Sequence, residues 1–155
     1  MNRRTWIPTV AVLIPVVAVG CASMRKMKPE EAIAARQQLM KDQGAALKSI
    51  QDKLKAGDTN VATEAHTLVS MSERIPTLFP DGSVDPKVSR AKPEIWQKWS
   101  EFEGNAKRLN EKASQLQASA KSGANAQTLN ATVTDMGRTT CGACHNAFRG
   151  PEIKK

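Results

Sequence analysis

The sequence predicts an all-α fold, an antiparallel up-down four-helix bundle. Apolar residues recur at spacings of three and four along almost all of residues 29–150, and no stretch shows the alternation typical of strands. Short links at residues 57–59 and 122–123, together with one long middle link, favour neighbouring antiparallel helices. The chain has 155 residues, and the roughly 135 that remain after an N-terminal export signal suit one domain with one core, here followed by a tail at residues 151–155.

The first predicted helix covers residues 29–56. Pro29 is tolerated in a first turn, and Glu30 and Glu31 lie near the positive end of the helix dipole. Gly57 is expected to end this helix. The apolar stripe repeats every seven residues, with neighbours beside it, and consists of Ile33, Leu39, Met40, Ala46, Leu47, Ile50 and Leu54.

The second predicted helix has Asn60 as its cap and runs to about Arg74. Its apolar face consists of Val61, Ala65, Leu68, Val69 and Ile75. A long connection follows, because Asp81-Gly82 and the prolines cannot continue a regular helix. These prolines are Pro76, Pro80, Pro86 and Pro93.

The third predicted helix begins at Pro93 and stops at Gly123, and the fourth runs from about Asn125 to Gly150-Pro151. The inward face of the third, with aromatic residues expected to fill the core, consists of Ile95, Trp96, Trp99, Phe102, Ala106, Leu109, Ala113, Leu116 and Ala120. The buried side of the fourth consists of Leu129, Val133, Met136, Thr140, Cys144 and Phe148.

A C-x-x-C-H motif at residues 141–145 lies in the last predicted helix, and this is the pattern by which c-type haem is attached. Cys141 and Cys144 are three apart and share a helical face, where two thioether bonds can hold the two vinyl positions of a porphyrin. His145, four residues from Cys141, shares that face, and a neutral imidazole is a good proximal ligand for haem iron. The motif predicts one covalently bound haem c.

Two other interpretations of the motif are a redox cysteine pair and half of a zinc site. Zinc prefers four ligands, and His66 and Cys21 are the only other candidates. A thioredoxin-like pair is expected in a βαβ context, which the helical pattern does not provide. His66 lies off the strongest face of the second helix and is expected at the surface.

Gly44 and Gly137 lie inside predicted helices, where each costs roughly 1 kcal/mol relative to Ala. Such glycines predict the close approach either of another helix or of the haem. The sequence does not choose between the two.

The N-terminal residues 1–20 are typical of an export signal. Arg3 and Arg4 precede a mostly apolar run to residue 20, which is shorter than the roughly 20 residues of a membrane-spanning helix. AVGC at residues 18–21 resembles the lipobox of bacterial lipoproteins, so Cys21 is expected to be acylated, with residues 21–28 as a tether. Ordinary cleavage nearby, with Cys21 as a spare thiol, is the alternative. The signal predicts a periplasmic protein, anchored to the membrane where Cys21 is acylated.

The chain is basic, with a formal net charge of +8 that falls to +6 when Arg3 and Arg4 leave with the signal. This charge favours an acidic redox partner or an anionic lipid surface. Nucleic acid is not an expected partner, because the lysines lack aromatic residues between them and the chain contains no Tyr.

Three segments together resemble the cytochromes c′, a family of exported four-helix bundles with C-x-x-C-H on the last helix. They are CGACHNAFR at residues 141–149, RQQLM at residues 36–40 and IWQKWSEF at residues 95–102. The resemblance covers the whole chain after the export signal.

By that resemblance, Arg36 and Gln37 flank the haem and its propionates, and Met40 occupies the distal side of the iron. The residues alone leave a second interpretation open for each: Arg36 as a solvent-exposed helix residue, and Met40 as a residue that only packs in the core. A suitably placed Met makes the iron of this family six-coordinate and low-spin, whereas an apolar residue leaves a five-coordinate pocket for small gases. Met40 is interpreted as the second protein ligand of the iron, in addition to His145.

Electron transfer is the expected function, since a haem with two strong ligands changes oxidation state with little rearrangement. The alternative is a five-coordinate protein that binds nitric oxide or carbon monoxide, with Met40 as a steric gate. No enzymatic activity is expected, because Arg36 has no histidine neighbour to form a peroxidase-like pair. The expected partners are redox proteins and the membrane, with a homodimer left open.

Overall fold

The computed structural model describes residues 27–153 and confirms the predicted all-α four-helix bundle. Its helices are α1 (Pro29–Lys55), α2 (Ala62–Arg74), α3 (Glu94–Gln97), α4 (Trp99–Lys121), α5 (Ala126–Met136) and α6 (Ala143–Phe148), with a 3₁₀ turn at Pro76–Leu78 and a π-helical segment at Gly137–Gly142. We call α3 with α4 the third arm, and α5, the π-helical segment and α6 the fourth arm. The signal peptide, residues 1–20, and the acylation expected at Cys21 lie outside the described residues. Within them, no helix is long and apolar enough to cross a membrane.

Helix α1 begins and ends close to where the sequence predicts. Pro29 is its first residue, and the Glu31 carboxylate accepts a hydrogen bond of 3.3 Å from the backbone N–H of Lys28. Beyond the last turn, Gly57 has a φ of 80°, a left-handed conformation that glycine adopts without a Cβ clash.

The start of α2 differs from the expectation at Asn60. Val61 is the residue at the N-cap, and no side chain caps the helix there. The Asp58 carboxylate accepts a hydrogen bond of 2.8 Å from the Asn60 backbone N–H, and the Asn60 carbonyl oxygen accepts one of 2.9 Å from Lys53 Nζ. Asn60 as the cap is therefore wrong, because a local turn made by Asp58 fixes it one residue too early.

The third arm is broken at Lys98, where φ is −119° and ψ is 44°. One continuous helix from Pro93 is therefore wrong. The Trp96 indole N–H donates a hydrogen bond of 3.1 Å to the Phe79 carbonyl oxygen, which ties α3 to the long connection. Phe79 also packs edge-on against Phe102, with ring centroids 4.7 Å apart. These contacts join residues that are far apart in the sequence, so helical periodicity cannot predict them.

The fourth arm begins as predicted but changes its pitch. The Asn125 side-chain oxygen accepts a hydrogen bond of 2.9 Å from the backbone N–H of Thr128, so Asn125 caps α5. Residues Gly137–Gly142 are π-helical rather than α-helical, and within them the Thr140 hydroxyl donates to the Met136 carbonyl oxygen at 2.6 Å. Segments of this kind are uncommon and often lie at functional sites.

The helices pack around one core. The most extensive contacts join α2 to α4, and α1 packs against α2 and α5. Helix α6 packs against α4 and the π-helical segment. Buried residues of the core include Leu39, Ile50, Leu54, Leu68, Ile95, Phe102, Leu109, Leu116, Leu129, Met136 and Phe148. Between α1 and α6 this arrangement leaves a cavity.

Candidate haem site

The cavity has a volume of about 550 Å³ and a mostly apolar wall. Helix α1 forms one wall, and the π-helical segment and α6 form another. Helices α2 and α4 supply apolar residues such as Leu68, Phe102 and Leu109. Its volume falls within the range of roughly 300–1,000 Å³ that is typical of cofactor and ligand sites.

Cys141, Cys144 and His145 all line this cavity, as the motif predicts. Cys141 lies in the last turn of the π-helical segment, whereas Cys144 and His145 lie in the first turn of α6. Burial, with a smaller contribution from Cys141, raises the pKa of the Cys144 thiol to about 11. Burial also lowers the pKa of His145, as do, to a lesser extent, the positive charges of Arg149 and Arg90. A neutral imidazole has a free nitrogen lone pair, so His145 is suited to bind iron.

Met40 lies on the α1 wall of the same cavity. Its side chain is partly buried and packs against the core, and Gly44 and Leu47 follow it on that wall. The structure therefore brings Met40 together with Cys141 and His145 in one space. A Cβ atom at Gly44 would meet no other atom within 4 Å, so close approach of another helix does not explain this glycine, and the same holds for Gly137.

Arg36 is 3% exposed, so the alternative of a solvated position is wrong. Its guanidinium donates hydrogen bonds to the hydroxyl and the carbonyl oxygen of Ser83, at 2.9 and 2.7 Å, and to the Ser89 hydroxyl at 2.7 Å. It also stacks over the Phe79 ring, 4.7 Å from the centroid. Within residues 27–153 no carboxylate pairs with it. Desolvation lowers the pKa of Arg36.

Gln37 and His66 have different surroundings. Gln37 is exposed at the edge of the cavity, and its Nε2 donates a hydrogen bond of 2.6 Å to the Val88 carbonyl oxygen. Gln37 and Arg36 therefore both tie α1 to the long connection. His66 is exposed on α2, away from the cavity, which confirms the surface position expected for it.

The long connection runs beside the end of α6, and the sequence pattern does not reveal this contact. Arg90 and Gly150 exchange hydrogen bonds, since the Gly150 N–H donates to the Arg90 carbonyl oxygen at 2.7 Å and Arg90 Nε donates to the Gly150 carbonyl oxygen at 2.9 Å. The Lys92 N–H donates to the Phe148 carbonyl oxygen at 3.1 Å. Because His145 is one turn from Phe148, these bonds fix the wall that carries it.

The charged residues on the cavity wall are all basic. Arg36, Lys41, Arg90 and Arg149 line it, and no Asp or Glu from the described part of the chain does so. A haem brings two propionates, whose negative charge such a wall complements. Two thiols and an imidazole on one wall, apolar side chains elsewhere and basic residues together fit a c-type haem.

A family model for cytochrome c′ matches residues 31–149. Among curated relatives, a cytochrome c′ from Pararhodospirillum photometricum is 29% identical over 124 residues, which cover 78% of this chain and 98% of that protein. A cytochrome c-554 from Cereibacter sphaeroides is 33% identical over 96 residues, which cover 59% of this chain and 70% of that protein.

Solved structures give the same result for the fold. Cytochrome c′ from Thermochromatium tepidum superimposes with a TM-score of 0.72 at 25% identity, covering 81% of this chain and 99% of that one. A nitric oxide complex of a variant cytochrome c′ from Alcaligenes xylosoxidans superimposes with a TM-score of 0.70 at 25% identity, covering 81% and 98%. A cytochrome c′ with ligand-controlled dimer dissociation has a TM-score of 0.71 at 25% identity, covering 81% and 98%.

The bundle and its cavity define a haem protein of the four-helix class. The chain belongs to the cytochrome c′ family. Its cofactor is one covalently bound haem c, for which the attachment motif is present at residues 141–145.

Proposed function

We propose that this protein binds nitric oxide or carbon monoxide at its haem iron, on the face turned toward α1. The observation that carries the proposal is the α1 wall of the cavity, where Met40 and Leu47 face the space and no histidine is present. Such a wall admits a small uncharged gas and offers no acid–base pair for peroxide chemistry. The comparisons support this alternative better than the electron carrier that the sequence favoured, because a relative of similar fold is described as a nitric oxide complex.

The attachment proposed for the haem uses Cys141 and Cys144 as thioether ligands and His145 as the proximal iron ligand. Haem would supply an iron centre that can bind a protein ligand and a small molecule from outside. All three residues line one cavity, and burial lowers the pKa of His145, which favours its neutral form. Mass spectrometry tests this assignment. Protein matured with c-type haem machinery should keep the mass of one haem in acid and organic solvent, and release of all the haem would contradict it.

Arg36 is proposed to neutralise a haem propionate, with Gln37 beside it at the cavity edge. Its guanidinium lines the cavity, is buried and has no carboxylate partner in the described residues. A buried cation without a counter-ion is costly, and an anionic group of the cofactor compensates for it. Ser83 and Ser89 hold the guanidinium in place through hydrogen bonds.

Electron transfer is the second candidate, and the position of Met40 favours it. A thioether that lines the same cavity as His145 could bind iron, and His/Met ligation would raise the reduction potential. The partner would then be a redox protein, which the basic charge of the chain suits when that partner is acidic.

Absorption spectra and carbon monoxide titration separate the two candidates. A gas binder with an open distal face should be high-spin and should bind carbon monoxide when ferrous. A parent protein that is low-spin and unreactive, but becomes high-spin and reactive as Met40→Ala, would establish the electron carrier. Gln51→Ala, at an exposed position of the same helix, is the control for a substitution by alanine in α1. Leu39→Ala is unsuitable for this purpose because Leu39 is buried in the core.

The protein is proposed to act in the periplasm after removal of residues 1–20, anchored through an acylated Cys21. The export-like N-terminus and the family membership support this location. Fractionation of cells with the parent protein and with Cys21→Ser tests the anchor. If the parent is not membrane-bound and the substitution changes neither its distribution nor its mass, the anchor is absent.

A homodimer is proposed as the assembly, on the basis of the relative described as undergoing dimer dissociation. Light scattering of the haem-loaded protein, with and without carbon monoxide, measures the mass of the assembly. A mass equal to one chain at all concentrations would exclude the dimer.

A further inference from the structure

Gln43 has a buried amide nitrogen with no hydrogen-bond partner. Its Nε2 atom is almost fully shielded from solvent, and nothing in the described residues accepts a hydrogen bond from it. The residue lies on α1 and lines the haem cavity together with Met40 and Leu47. A side-chain amide carries two N–H donors, and buried donors in folded proteins are almost always satisfied.

The missing acceptor is therefore expected inside the cavity. The protein atoms of the described residues provide none for Gln43 Nε2. What fills the cavity must bring an oxygen or another acceptor to this point, or leave the amide unsatisfied. The acceptors that haem itself brings are its propionates.

Position along α1 separates Gln43 from the propionates. Arg36, the residue proposed to neutralise a propionate, precedes Gln43 by seven residues, or about 10 Å along a helix axis that rises 1.5 Å per residue. Met40 lies between them, about 4.5 Å from Gln43 on the same measure. Gln43 is thus on the far side of Met40 from the propionate end, where the remaining acceptor is a ligand on the distal side of the iron.

We propose that the Gln43 side-chain amide donates a hydrogen bond to the diatomic ligand held in the distal part of the cavity. The proposal rests on the proposed gas-binding function and names the residue that stabilises the bound gas. An amide N–H favours a ligand whose outer atom carries partial negative charge, so it strengthens the hold on nitric oxide more than on carbon monoxide. Gln43 would then contribute to selectivity between gases, while Met40 controls access.

The test compares Gln43→Leu with the parent in the haem-loaded protein. Leucine preserves the helix and the bulk of the side chain but removes the donor. The C–O stretching frequency of the ferrous carbon monoxide complex should rise, and nitric oxide should dissociate roughly fivefold faster, the effect of losing one ordinary hydrogen bond. Gln51→Leu, at an exposed position of the same helix, is the matched control and should change neither quantity.

Repeating the measurements in the Met40→Ala background separates this inference from the proposed function. In one outcome the parent binds no carbon monoxide, whereas the Met40→Ala variant does. If Gln43→Leu then raises the C–O stretching frequency of the Met40→Ala protein, gas binding fails as the function but the hydrogen bond from Gln43 stands. If the parent binds carbon monoxide and Gln43→Leu leaves both the frequency and the nitric oxide dissociation rate unchanged, the role of Gln43 is refuted and the function stands. Absence of carbon monoxide binding in both backgrounds overturns both.

Discussion

Replacing Arg36 by Met removes the more extensive of two side-chain links between α1 and the long connection, and it preserves an unbranched side chain. The guanidinium donates three hydrogen bonds, to the Ser83 hydroxyl, the Ser83 carbonyl oxygen and the Ser89 hydroxyl, over distances of 2.9, 2.7 and 2.7 Å. It also stacks on Phe79. These contacts hold the connection between α2 and α3 against α1, beside the cavity.

The size of the effect follows from these contacts. Three hydrogen bonds from a charged donor at about 1.5 kcal/mol each, and a cation–π contact of about 1 kcal/mol, total about 5.5 kcal/mol. In the protein without its haem, the buried guanidinium has no carboxylate partner within residues 27–153, which is unfavourable. Its removal therefore regains about 2 kcal/mol of the lost free energy of unfolding. Arg36→Met should therefore lower the free energy of unfolding by about 3.5 kcal/mol.

Denaturant unfolding followed by far-ultraviolet circular dichroism measures this change. Arg74→Met is the control, because Arg74 is exposed on α2, and it should change the free energy of unfolding by less than about 0.5 kcal/mol. Arg36→Lys should recover less than half of the loss, since an ammonium group cannot reproduce the fork of the guanidinium. A loss for Arg36→Met no larger than that of the control would refute the structural role assigned to these hydrogen bonds.

Two further predictions concern the ends and the surface of the bundle. Asn125→Ala removes the oxygen that accepts the hydrogen bond from the Thr128 N–H, so the free energy of unfolding should fall by about 1 kcal/mol, and Asn125→Ser should restore most of it in the same denaturant assay. The hydrogen bond and charge of Lys53, 2.6 Å away, hold the pKa of Glu64 below its ordinary value of 4.5. A lowered folded-state pKa stabilises the protein above the unfolded-state value, and this contribution is lost as the pH falls through the folded-state value. Lys53→Met should therefore move the acid-unfolding midpoint, followed by circular dichroism, to higher pH, and an unchanged midpoint would show that the pair contributes nothing.

Local signals in the sequence determined most of the secondary structure. Helical periodicity reports which face of a segment is apolar, and cap residues act within a few positions of the helix end. For this reason the start of α5 at Asn125 and the end of α1 before Gly57 are confirmed. Asn60 failed for an equally local reason, because Asp58 forms a competing turn.

The attachment motif was likewise predictable, because its spacing brings Cys141, Cys144 and His145 close together in any helical conformation. The structure places all three on one cavity wall, although through a π-helical segment that periodicity did not indicate. Met40 could be placed toward the same space because it belongs to the apolar stripe of α1.

Only the tertiary structure determined which distant residues contact the helices around the cavity. Arg36 could be solvated or buried on the evidence of its position in α1, and its burial depends on Ser83 and Ser89, which are about fifty residues away in a connection without periodicity. Next to the break at Lys98, Trp96 donates a hydrogen bond to that same connection. Contacts between distant segments depend on how the arms pack, and the spacing of residues along the chain does not reveal them. The sequence by itself therefore determined the helices and the haem motif. Packing determined the cavity, the basic residues that line it and the unpaired amide of Gln43.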